Sequence, residues 1–350
     1  MKFADFTNGQ QNNLNLMRLI AATAVAFSHS YFFTNQFAIE PLFALTSNMT
    51  LGYLAVFIFF VISGFLVSQS YERSKSISRF IAARALRIYP ALIVVLILSA
   101  YVMGVFFTTL DPSEYLMRNE VRRYVEDNIL FKVNQSLPGV FKEEGINGSI
   151  WTLRYEVYVY FLLLVAGVSG MLANRAVFNS TVLVLLLLYI KSPIGIIIMP
   201  GSWDAVILVP VTGFFFGALV YVNRDYLDCK ISYVFICIVI YYLFRQHEWF
   251  HLILVVTLGY IVLTLGFHKS LTVNFRIVND YSYGIYLYAF PVQQAIRHSV
   301  SIQSPLLFFF LTMLITVPLA VMSWHFVEKP ALKLKKAFVR KDSLSAGGPP

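Results

Sequence analysis

Ten apolar runs follow one another along this chain, most of them long enough to cross ~30 Å of hydrocarbon. They are Leu14–Phe33, Thr50–Ser70, Ile88–Leu110, Ser149–Leu172, Ala176–Ile190, Asp204–Val222, Ile231–Phe244, Phe250–Phe267, Tyr281–Arg297 and Pro305–Val327. One soluble core could not hide that much apolar surface. Lipid removes the difficulty, because a helix satisfies its own backbone there and can be apolar on every side. The fifth and seventh runs are short and imply little tilt or local thinning of the bilayer. Composition agrees: 58% of the 350 residues are hydrophobic and 13% charged, with a mean hydropathy of +0.69. The 32 Phe suit the acyl region and the 21 Tyr its interfaces. The expected fold is all-α, a polytopic membrane bundle of about ten transmembrane helices.

The net charge of +9 would suggest nucleic acid in a soluble protein. No basic helix or aromatic platform stands outside the apolar runs, so we expect no nucleic-acid partner. The cations instead mark one side of a membrane. Arg73, Lys75, Arg79, Arg84 and Arg87 crowd the second connection, and Arg175, Arg224, Lys230, Lys269 and Arg276 fall on the same side if there are ten spans. Lys2 and the tail cations from Lys329 to Lys341 join them, which puts both termini in the cytoplasm and favours an even span count. Arg18 interrupts the apolar stretch before Ala22–Ala26, so the first helix reads as retained rather than as a cleaved signal.

Residues 1–336 form the expected membrane domain, with an outer loop over 111–148 and a disordered tail over 337–350. Asp111-Pro112-Ser113-Glu114 signals a helix start, followed by Tyr115, Leu116, Val121, Val125 and Ile129 among charges. A short amphipathic helix is expected there. Gly139, Gly145 and Gly148 imply a looser second half. Cys229 and Cys237 are too few for a disulfide framework and are expected as free thiols.

Polar groups inside a membrane carry the most information. The first run holds Arg18 and His29, eleven residues apart and so on one helix face, separated by roughly 16 Å of rise. Snorkelling and interfacial capping would explain either residue alone. Arg84 and Arg87 are helical neighbours, followed by Pro90 at the start of the third span. Paired guanidinium forks suit phosphate, and plain anchoring accounts for them as well. Ser63-Gly64 makes a small polar notch that close helix packing also explains. Trp151 reads as an interfacial anchor, whereas Glu156 lies inside the fourth span and needs a partner from another helix. The ninth run carries Tyr281, Tyr283, Tyr286, Tyr288, Gln293, Gln294 and an interior Pro291, which suggest a kinked cavity wall. Glu328 ends the tenth run in Trp324-His-Phe-Val-Glu328-Lys-Pro330. There is no Walker A sequence, no GxSxG, no HExxH and no clustered Cys/His set. His247 and His251 are spaced as an i, i+4 pair but lack a third ligand, so no metal is expected.

Taken together, these residues resemble the acyltransferase family 3 membrane proteins over nearly the whole chain. The resemblance rests on Arg18 and His29, Phe59-Phe-Val-Ile-Ser-Gly-Phe65, Arg84-x-x-Arg87, Trp151-Thr-Leu-x-x-Glu156, the Tyr-Ser-Tyr-Gly-Ile-Tyr-Leu run and Phe-Val-Glu328-Lys-Pro330. Tyr288-Ala-Phe-Pro-Val-Gln-Gln294 resembles the O-antigen acetyltransferase branch, in a stretch where many relatives carry a histidine. No SGNH-type domain follows the last run, so the membrane domain is expected to act alone.

The resemblance implies an all-helical enzyme of the bacterial inner membrane. It would move an acetyl group from acetyl-CoA, a co-substrate and not a resident cofactor, to a sugar hydroxyl of an envelope polysaccharide or lipid-linked glycan such as lipopolysaccharide O-antigen. His29 would be the general base and Glu156 its orienter or an acceptor ligand. Arg18, Arg84 and Arg87 would meet the polyanionic donor, with Ser63, Trp151, Tyr288 and Glu328 in support. The rival is a transporter or flippase of a lipid-linked glycan or acyl donor. It would predict repeat symmetry and broken helices in both halves, and neither is evident in the sequence.

Overall fold

The computed structural model describes residues 2–7, 12–74, 76–141, 145–191, 205–244, 250–268 and 279–334. The tail over 337–350, His247 and the side chain of His251 lie outside these residues. The described residues form helices and no strand, with isolated bridges at Lys2 with Asp228 and Thr108 with Val140.

Each of the ten apolar runs is helical. The helices are α1 (Leu14–Phe33), α2 (Leu51–Ser74), α3 (Ile77–Ile97), α4 (Pro112–Met117), α5 (Asn119–Ile129), α6 (Trp151–Val168), α7 (Arg175–Lys191), α8 (Ala205–Val222), α9 (Ile231–Phe244), α10 (Phe250–Phe267), α11 (Ser282–Ser299) and α12 (Pro305–Ser323). Helix α3 widens into a π-helical turn at Leu98–Met103 and runs on to Phe107, and α12 passes through a similar turn at Trp324–Glu328. Among the described residues, five stretches are long and apolar enough to cross a membrane: Leu14–Phe33, Leu51–Ser74, Ile77–Phe107, Gly148–Val168 and Pro305–Lys333. Four more apolar helices are shorter. On α12, Leu314 is 71% and Phe310 65% exposed, an outward apolar face that needs a lipid solvent.

Two expectations are corrected. Helix α3 begins at Ile77, eleven residues ahead of the apolar run, with Ser76 Oγ accepting from Arg79 N. Arg79 therefore lies on the helix, Arg84 and Arg87 are the helical neighbours that their spacing indicated, and Pro90 is interior to the helix and not at its start. The loop over 111–148 holds two helices where one was expected. Asp111 caps α4 by accepting from Ser113 N at 2.9 Å, but Arg118 adopts an extended conformation (φ −69°, ψ 129°) and separates α4 from α5.

The chain divides into two compact units. The first comprises Met1–Arg18, Ala55–Lys75 and Tyr155–Val278. In it α2 and α8 approach until their backbones touch: a Cβ on Gly64 would overlap the carbonyl oxygen of Phe214. Phe65 packs on Tyr221 and Phe267, with ring centroids 5.3 and 4.7 Å away. Asn13 Nδ2 donates to Leu265 O at 2.9 Å. At one edge Glu72 accepts from Tyr221 and Arg224, and Arg175 pairs with Asp225.

The second unit comprises Leu19–Leu54, Ser76–Arg154 and Asn279–Pro350. Helix α11 is its buried axis, with Ser282 through Ala289 all buried. Glu40, fully buried, accepts from Phe43 N at 2.8 Å and from Leu51 N at 2.7 Å. One carboxylate thus caps the short helix Pro41–Thr46 and the start of α2.

Candidate active site

Helix α11 carries a polar cluster at each end. At its N-terminal end, Asp280 precedes the helix and uses Oδ1 to accept from Ser282 N at 3.2 Å and from the Ser282 hydroxyl. That is an Asx-type turn, an aspartate bonding two residues on, just ahead of the N-cap Tyr281. Its Oδ2 accepts from Arg87 at 2.6 Å. The same guanidinium lies 3.6 Å from Glu328 and 5.4 Å above the Tyr283 ring centre. The π-helical turn Trp324–Glu328 sets Glu328 into the interior, where Ser323 Oγ donates to it at 3.1 Å. Tyr283 OH donates to Ile88 O at 2.9 Å and ties α11 to α3. Tyr288 is buried on the same helix, and Arg84 lies partly buried one turn before Arg87. A buried guanidinium between two carboxylates is a strong charge-assisted arrangement. A phosphate reaching Arg87 would have to compete with it.

The other cluster gathers where the C-terminal halves of α1 and α11 meet the end of the 111–148 loop. The ring of His29 stands edge-on to Phe290, with centroids 5.3 Å apart, and Phe290 also packs on Phe33 at 5.0 Å. His29 Nδ1 is buried and has no hydrogen-bond partner among the described residues. Gln293 Nε2 donates to Ala26 O at 2.7 Å and to Ser30 Oγ at 3.2 Å, on the turn of α1 that bears His29. Gln294 Nε2 donates to Gly145 O at 2.6 Å.

The loop reaches this position through Pro291 and two neighbouring residues. A proline has no N–H, so the carbonyl four residues earlier loses its helical partner. That carbonyl belongs to Leu287, and Asn147 Nδ2 donates to it at 3.0 Å. Asn147 Oδ1 meanwhile accepts from Ser149 N at 3.2 Å. Gly148 then passes so close to Phe290 that a Cβ would lie 2.6 Å from two ring carbons. Tyr286 OH donates to Ser149 O at 2.8 Å and shares a hydrogen bond with Thr152.

The second unit thus contains His29, Arg84, Arg87, Trp151, Tyr288 and Glu328. Of these, Arg87 and Glu328 touch, and Trp151 starts α6 beside the Ser149–Tyr286–Thr152 bonds. Arg18, Ser63 and Glu156 belong to the first unit. Arg18 and Ser63 are half-buried there. Glu156 accepts from Tyr160, one turn along its own helix, where the sequence led us to expect a partner from another helix. Among the described residues no three His, Cys, Asp or Glu come together to hold a metal. Sequence reasoning missed Asp280 and Asn147. The signals were present: each lies two residues before a serine at a helix start, and Pro291 announces a carbonyl that something must satisfy.

Membrane-crossing helices with histidine, arginine and carboxylates turned inward describe an integral membrane enzyme. The profile of the acyltransferase domain family matches residues 11–325. The chain belongs to this acyltransferase family and is an enzyme that transfers acyl groups other than amino-acyl groups. It is similar to an O-acetyl transferase of Shigella phage Sf6, with 30% identity over 340 residues covering 91% of this chain and 96% of the relative. It is also similar to Nodulation protein 10 of Rhizobium leguminosarum bv. viciae, with 34% identity over 167 residues and 45% of each chain. No solved structure matches.

Proposed function

We propose that this protein is a membrane O-acetyltransferase. It takes acetyl from acetyl-CoA on the cytoplasmic side of the bacterial inner membrane and places it on a sugar hydroxyl of an envelope glycan such as lipopolysaccharide O-antigen. The chain crosses the membrane ten times with both termini in the cytoplasm. The likeness to the phage O-acetyl transferase along 91% of the chain supports the chemistry, and the loop charges support the topology.

The observation that carries the reading of the site is the buried, unpartnered Nδ1 of His29 at the end of α1 nearest the loop. A neutral imidazole there can take the proton of an acceptor hydroxyl near pH 7. The hydroxyl oxygen then attacks the thioester carbonyl, the new C–O bond forms, and the C–S bond breaks. The coenzyme A sulfur departs with the electron pair and receives the proton. At the far end of α11, Arg84 and Arg87 face the donor's phosphates, with Glu328 holding Arg87. Asp280 and Gln293 are thirteen residues apart, roughly 20 Å of helix, which suits a long thioester arm that enters at one end and reacts at the other.

The test uses membranes carrying the intact protein, labelled acetyl-CoA and unacetylated glycan. His29→Ala is expected to lower glycan acetylation at least 100-fold, the usual scale for a general base. Undiminished transfer would remove His29 from that role.

A further inference from the structure

Four buried polar atoms belong to side chains of α1, α11 and the loop that meet around Phe290 and the C-terminal half of α11, and none has a hydrogen-bond partner among the described residues. They are His29 Nδ1, Gln293 Oε1, Gln294 Oε1 and Ser149 Oγ. Gln293 is 0% exposed, Gln294 2% and Ser149 2%. Buried polar atoms are nearly always satisfied, so several left open in one place need an explanation. These side chains are not loose. Each glutamine has its Nε2 committed to a backbone carbonyl, at Ala26 and Gly145 respectively. Ser149 is fixed through its backbone by Asn147 and Tyr286. Each amide is therefore held through its Nε2, and its Oε1 is left without a partner among the described residues.

We infer that Gln293, Gln294 and Ser149 form the acceptor subsite, which takes a neutral polyhydroxyl ligand, a sugar ring, beside His29. This inference rests on the proposed function for the identity of the reaction. The chemistry of the open atoms selects the class of ligand. Two are amide carbonyl oxygens, which accept hydrogen bonds and repel anions, and the third is a hydroxyl that can give or take one. A phosphate would meet acceptors where it needs donors. A sugar presents several hydroxyl donors at short spacing, and its apolar face can rest on Phe290, whose ring already adjoins His29. Gln293 is anchored to the very turn of α1 that bears His29, which ties this amide to the helix that carries the base. Gln294 and Ser149 are held by the loop instead, so the subsite joins the base to the loop.

The experiment measures acetyl transfer to the delipidated, unacetylated polysaccharide of the host, with separate KM values for polysaccharide and acetyl-CoA. Gln294→Leu and Ser149→Ala are each expected to raise the polysaccharide KM about three- to tenfold, the scale of a hydrogen bond or two. The acetyl-CoA KM is expected to stay within about twofold. Equal polysaccharide KM values for wild type and both variants would overturn the subsite. So would a rise confined to acetyl-CoA. Direct binding of the same polysaccharide to purified protein, without donor, keeps the two proposals apart. Binding lost in Gln294→Leu supports the subsite even where wild type transfers no acetyl, a result that would sink the function alone. Gln293→Leu serves as a third variant, because its amide also braces α1.

Discussion

At the scale of single residues, Asn147 shows how a loop is fastened to a helix. Its amide meets the carbonyl that Pro291 leaves open and caps the turn that follows. Asn147→Ala would strand the Leu287 carbonyl in a buried place, a loss of about 1–3 kcal/mol, read as a lower unfolding temperature in detergent. Cys229 gives a second test. Burial pushes its thiol up to about 11, and it is 1% exposed. Only the thiolate reacts, so maleimide labelling at pH 7 is expected to be very slow while the protein is folded and to become fast on denaturation. Raising the pH toward 11 in the folded state increases the reactive fraction. Fast labelling at pH 7 would show that the loop opens. Both cysteines are free thiols, as two cysteines outside any framework led us to expect.

Among the elements, helix α11 has a start that serves two purposes, and substitution can separate them. From just outside the N-cap, Asp280 satisfies the first N–H of the helix and also binds Arg87. Asparagine makes the same local bond as aspartate but carries no charge. Asp280→Asn is therefore expected to retain most of that bond and weaken the hold on Arg87, whereas Asp280→Ala loses both. Thermal unfolding should rank wild type, Asn and Ala in that order, with the acetyl-CoA KM already changed in the Asn variant. An acetyl-CoA KM equal to wild type in both variants would mean that Arg87 plays no part in donor binding.

Hydropathy located α1 to the residue, because that helix stops where the apolar sequence stops. It misjudged α3 by eleven residues, because that helix continues past its apolar stretch through Arg79, Arg84 and Arg87. Hydropathy reports contact with lipid, whereas the helix is set by its backbone bonds. The break at Arg118 is a backbone event with no apolar signature, so two loop helices read as one. The candidate site was legible where it used costly residues such as His29 or Glu328. Asn147 and Asp280 were harder to see, because residues that bond a helix start are common and only the fold shows which of them are also bonded across helices.

For the molecule as a whole, the testable statement is its disposition in the membrane. With ten crossings and both ends inside, fluorescent-protein fusions at either terminus should glow, and a periplasm-dependent reporter inserted between Lys132 and Gly139 should be active. A dark C-terminal fusion beside a bright N-terminal one would mean an odd number of crossings. Helix α11, polar and buried along most of its length, is the least apolar of the expected spans. It can lie in the bilayer only because its neighbours shield it from lipid.

The contact of Gly148 with Phe290, and of Asn147 with Leu287, bears on how such enzymes can be recombined. A loop grafted from a relative would arrive with its own residues at 147 and 148. A side chain at 148 would drive into the ring that adjoins His29, and a missing amide at 147 would leave the proline gap unfilled. The smallest exchangeable module is therefore the end of the loop together with α11. Chimeras cut between them are expected to fail for mechanical reasons before any question of which acceptor they prefer.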